Sequence, residues 1–123
     1  MNPFDLIKVL LQNLPPTHWK VSVNNVSKGP VTRTFSKLDG TTITVDFEYQ
    51  DGGTTHTLKG TIPLVGAGQP GGNDQFQFDG QNVEHDDFIL SSRFVFPSPV
   101  LVVEFKFQLN GQAMQVRFDG RLL

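Results

Sequence analysis

The chain has 123 residues, 37% of them apolar, with eleven Phe and no Cys. That is enough for one domain with a single compact core, and it excludes disulfide frameworks, thiolate metal sites and cysteine nucleophiles. Ten Lys and Arg against twelve Asp and Glu leave a formal charge of -2 with the signs interspersed, so there is no basic footprint for nucleic acid.

At the N-terminus, Leu6, Ile7, Leu10, Leu11 and Leu14 fall on one side of a helical wheel and Asp5, Lys8 and Gln12 on the other. Asn2 suits an N-cap, Pro3 the first helical position, and Pro15-Pro16 the stop. An amphipathic helix is therefore predicted over residues 1–16. Its apolar positions are interrupted as those of a signal peptide are not, and its polar side lacks the Lys/Arg enrichment of a membrane-surface helix. It is expected to pack on the domain, with membrane not a partner. No apolar run approaches the roughly 18 residues of a membrane span, and a soluble, cytoplasmic protein is the expectation.

From residue 17 to 123 the period changes to two. "TTITVDFEYQ" (Thr41 to Gln50) sets Ile43, Val45, Phe47 and Tyr49 against Thr44, Asp46 and Glu48. "DGG" at 51–53 turns the chain, and the alternation resumes through Leu58 and Ile62 to Leu64. A second hairpin runs from Leu101 to Leu109, turns at Asn110-Gly111 and returns through Met114, Val116 and Phe118. "VDFEYQDGG" (Val45 to Gly53) and "VEFKFQLNG" (Val103 to Gly111) match closely, a convergence on hairpin chemistry. Further strands are predicted at 18–26, 31–38, 75–79, 83–90 and 93–96, with turns at Lys28-Gly29-Pro30, Asp39-Gly40, Asp79-Gly80 and Pro97-Ser98-Pro99.

Gly66, Gly68 and Gly71 have the G-x-G-x-x-G spacing of a dinucleotide-binding turn. Such a turn works by leading into a helix whose N-terminus holds the pyrophosphate. Here Pro70, Gly71, Gly72 and Asn73 disfavour a helix and "DQFQFDG" alternates as a strand, so the stretch reads as a Gly-rich connection and no cofactor is predicted. His18, His56 and His85 stand in no zinc motif. In Glu84-His85-Asp86-Asp87 at most about two side chains converge on one face of a strand, so no metal site is expected. Ser91 and Ser92 lack a nucleophile elbow. Whether the chain is an enzyme is left open, with no catalytic residue assigned.

Two polar residues fall in phase with apolar ones: Arg33 with Val31 and Phe35, and His56 with Leu58 and Ile62; an edge strand with Arg33 reaching solvent and a strand-end position for His56 are favoured over a water-containing cavity. Taken together, the pattern is mainly β: an antiparallel meander of about eight strands closed as a small barrel, or folded as a sandwich, with one N-terminal helix. In outline this resembles the lipocalin and fatty-acid-binding barrels. The expected function is a carrier or binding barrel for an apolar small molecule, lined by Phe35, Phe47, Tyr49, Phe105, Phe107 and Phe118, with Arg33 or His56 as the polar anchor. The alternatives are a barrel enzyme for a cyclisation or isomerisation, using His56 or an aspartate as acid or base, and a β-sandwich module binding sugar or protein through its loops and Trp19. A core filled by side chains would favour the last.

Overall fold

The computed structural model describes residues 16–65, 69–70, 75–95 and 98–121. The helix expected over residues 1–16 lies outside them, apart from Pro16, and the described residues contain strands and no helix. The strands are β1 (His18–Val23), β2 (Val26–Lys28), β3 (Val31–Asp39), β4 (Thr42–Asp51), β5 (Thr54–Val65), β6 (Gln69–Pro70), β7 (Gln75–Phe78), β8 (Gln81–Asn82), β9 (Glu84–Val95), β10 (Ser98–Leu109) and β11 (Gln112–Arg121).

Tight turns organise them. Asn24-Asn25, Gly52-Gly53, Asp79-Gly80 and Asn110-Gly111 each hold two consecutive positive φ values, the two-residue turn whose twist matches that of paired strands. Asn, Asp and Gly are the residues that tolerate this conformation. The 83–90 and 93–96 segments prove to be one strand, β9, because Ser91 and Ser92 continue the ladder to Val102 and Leu101.

All the pairings are antiparallel and they form two sheets, ordered β2-β1-β11-β10-β9 and β3-β4-β5-β7-β8, with β6 beside β5. The expected barrel is therefore corrected: among the described residues the strands form two sheets that do not close, unlike the lipocalin and fatty-acid-binding barrels. The reason lies at the two places where the chain passes between sheets. A barrel needs a ladder running all the way round, but the strands at these seams include β2, of three residues, and β8, of two. Among the described residues the backbone bonds there, Gly29 N–H to Gln50 O (3.0 Å), Gln50 N–H to Pro30 O (2.9 Å) and Val83 N–H to Phe76 O (3.4 Å), extend the β3–β4 and β7–β8 ladders of the second sheet.

The sheets lie face to face over one apolar core. Val21, Val103, Phe105, Phe107, Val116 and Phe118 from the first meet Ile43, Val45, Phe47, Tyr49, Leu58, Ile62, Phe76 and Phe78 from the second. Trp19 joins from β1, its ring edge-on to Phe47 at 5.5 Å and its Nε1–H donating to Pro16 O at 3.0 Å. The two matching hairpin sequences, β4–β5 and β10–β11, thus face each other, with equivalent residues Phe47 and Phe105 in contact at 6.2 Å.

Candidate functional site

The structure separates the residues expected to surround one ligand. Phe47, Tyr49, Phe105, Phe107 and Phe118 are each at most 1% exposed, and they pack on one another. Phe47 meets Phe118 at 4.6 Å, Phe105 meets Phe118 at 6.1 Å, and Tyr49 meets Phe118 at 6.0 Å. Phe76 stacks on Phe105 at 5.0 Å, and Phe78 meets Phe107 at 5.3 Å. Edge-on and tilted arrangements at these separations are those of an aromatic core.

Arg33 and Phe35 leave that group altogether. Val31 pairs with Tyr49 and Arg33 with Glu48, so the partner strand advances by one residue while β3 advances by two. Thr32 is the extra residue of a β-bulge, and beyond a bulge every side chain changes face. Val31 still packs on the core, but Arg33, Phe35 and Lys37 point outward and Thr34, Ser36 and Leu38 inward. Phe35 is 51% exposed. Arg33 Nε donates to Asp46 Oδ1 at 3.0 Å, and its Nη1 stands 3.2 Å from Glu48 Oε2. Thr32 Oγ1 donates to Glu48 Oε1 at 2.8 Å.

His56 stays on the inner side, at the rim. It pairs with Tyr49 across β4 and β5, and its ring lies 5.2 Å from Phe78 at 21° and 5.4 Å from Tyr49. Nδ1–H donates to Asp79 Oδ2 at 2.7 Å, and Asp79 Oδ1 accepts from Thr57 N–H at 2.9 Å.

Burial, reinforced by the Asp79 and Asp51 carboxylates, pushes the Tyr49 hydroxyl above the ordinary tyrosine range. Above about pH 10 the unfolded chain therefore gives up a proton that the folded chain keeps, and stability falls as the pH rises. Tyr49 is the only tyrosine. Its phenolate absorbance should appear together with unfolding, and Tyr49→Phe should flatten this part of the pH–stability profile.

Sequence reading did not reach the outer face of the second sheet. Registers place Phe35 opposite Asp46, Asp46 opposite Lys59, Lys59 opposite Gln77 and Gln77 opposite Asn82. These five residues form one row across β3, β4, β5, β7 and β8, about 19 Å long at the usual spacing between strands. Thr44 and Thr61 lie beside it in the next row, opposite each other. All seven line a groove of about 720 Å³ that also includes Val45, Gly60, Phe76 and Val83. Gln77 Nε2–H donates to Asn82 Oδ1 at 3.2 Å. The single aspartate is engaged by Arg33, and Lys59 is exposed with no ion pair among the described residues.

A smaller groove of about 380 Å³ lies at the β1–β3 seam, lined by Thr17, Trp19, Pro30, Val31, Thr32, Arg33 and Thr34. Among the described residues no three His, Asp or Glu side chains are grouped to hold a metal ion, and no helix is long and apolar enough to cross a membrane. Gly66, Gly68 and Gly71 lie outside the described residues; β5 precedes them, and β7 follows as a strand paired back on β5. Comparisons with protein-family models, curated proteins and solved structures find no match to this chain.

Proposed function

We propose that this chain is a non-catalytic binding module that takes a saccharide chain across the outer face of its second sheet. The row Phe35–Asp46–Lys59–Gln77–Asn82 carries the reading. It offers an exposed ring to the apolar face of a sugar and, strand by strand, a carboxylate, an ammonium and two carboxamides to its hydroxyls. Thr44 and Thr61 add hydroxyls alongside. The spacing of about 4.8 Å from one strand to the next suits a ligand that repeats at the length of a sugar ring. Of the aromatic residues expected to surround an apolar small molecule, Phe47, Tyr49, Phe105 and Phe118 are in contact with one another, which favours a surface site over an internal one.

The test is a glycan array followed by calorimetric titration of the best-bound soluble oligosaccharide. Phe35→Ala and Gln77→Ala should each weaken binding by about tenfold. Both are exposed and should leave stability within about 0.5 kcal/mol of the parent. An array with no bound glycan, or binding indifferent to both substitutions, would reject the proposal.

A further inference from the structure

One end of the groove depends on a weakly attached piece of sheet. Gln77 and Asn82 belong to the β7–β8 hairpin, whose outer strand has two residues and pairs with β7 alone. β7 in turn pairs with β5 over only four residues, from Leu58–Phe78 to Thr61–Gln75. So short a ribbon is marginal by itself.

At its turn, however, the hairpin is fastened three times to consecutive residues of β5. Asp79 N–H donates to Thr57 O at 2.9 Å. Thr57 N–H donates to Asp79 Oδ1 at 2.9 Å, and His56 Nδ1–H to Asp79 Oδ2 at 2.7 Å. The His56 ring also stacks on Phe78, the last residue of β7. The side-chain bonds end on a charged carboxylate, which makes them stronger than neutral ones.

We infer that Asp79, clamped by His56 and Thr57, is a positioning residue for the groove: it holds the β7–β8 hairpin where Gln77 and Asn82 complete the row. This rests on the saccharide reading for its functional consequence, but the clamp itself can be tested without ligand. Asp79→Gly suits the left-handed backbone here (φ 53°) and removes the carboxylate with its methylene. His56→Phe preserves ring stacking and removes the nitrogen. Asp79→Asn keeps a carbonyl for Thr57 and should restore much of the effect.

Amide hydrogen exchange on the free proteins gives the first readout. Gln77 through Asn82 should exchange about tenfold faster in Asp79→Gly, and less so in His56→Phe and Asp79→Asn, each of which keeps the Thr57 bond, while β10 and β11 keep their protection. Unchanged exchange in the hairpin, or an equal rise throughout the protein, would overturn the clamp. Titration with cellohexaose, or with the array's best ligand if cellohexaose is not bound, gives the second. Affinity should fall about tenfold in Asp79→Gly and recover in Asp79→Asn; faster exchange with undiminished affinity would overturn the positioning role. A parent that binds no oligosaccharide rejects the saccharide reading and with it the positioning role, and the exchange result then decides the clamp alone.

Discussion

Phe105→Ala should destabilise the fold by roughly 3 to 5 kcal/mol, the cost of emptying a tightly filled aromatic site. The ring has no exposed surface and touches Phe47 at 6.2 Å, Phe76 at 5.0 Å, Phe88 at 5.3 Å and Phe118 at 6.1 Å. These neighbours come from both sheets, so none can close the gap without moving a strand. Denaturant unfolding followed by Trp19 fluorescence measures the loss, with an apolar dye titrated into parent and variant in parallel. A large loss and no dye bound by the parent is the expected result. A loss under about 1 kcal/mol together with uptake of dye by the parent would show that Phe105 borders a space, and would restore the internal carrier.

Gly120→Ala should cost roughly 1 to 3 kcal/mol, the usual penalty for forcing an extra carbon into a packed core. Trp19 pairs with Gly120 across β1 and β11, and its ring lies over the glycine. A Cβ there would stand 2.7 Å from Cη2 and Cζ2 of the indole and 2.8 Å from Cε2. The indole is also fixed by its bond to Pro16 O and its edge contact with Phe47. Thermal melts of Gly120→Ala, Trp19→Leu and the double variant should reveal strong non-additivity, because the smaller side chain makes room for the new methyl. Additive losses would mean that the indole is not what excludes a side chain at position 120.

These core residues were legible because their strands alternate cleanly and their turns are two residues long. Asn110-Gly111 fixes the β10–β11 register, and with it the inward set Leu101, Val103, Phe105 and Phe107. The facing of Phe35 on β3 was misread for the opposite reason. "VTRTF" alternates without a flaw on paper, and nothing in its composition marks Thr32 as the extra residue that turns Arg33 and Phe35 to the outside. Closure into a barrel was over-read because it depends on ladder length at the seams, where β2 and β8 are too short to carry it. The groove stayed hidden since its row combines registers from three tight turns with the β5–β7 pairing. That pairing spans the Gly-rich connection, whose length does not set a register. The polar residues of β4, β5 and β7 read individually as a wet face, and only the pairing places Asp46, Lys59 and Gln77 in line.

The pairing of β1 with β11 also says something about how the molecule forms. It joins His18 to Arg121, and Thr17 N–H donates to Arg121 O at 2.9 Å. β3–β4–β5 and β9–β10–β11 are local meanders that can nucleate on their own turns, but β1 has to wait for a partner about a hundred positions later in the sequence. Closing so long a loop is slow, and its entropy is repaid only once the contact exists. β1 should therefore dock after the rest of the first sheet is in place, so that substitutions at Val21 accelerate unfolding more than they slow folding.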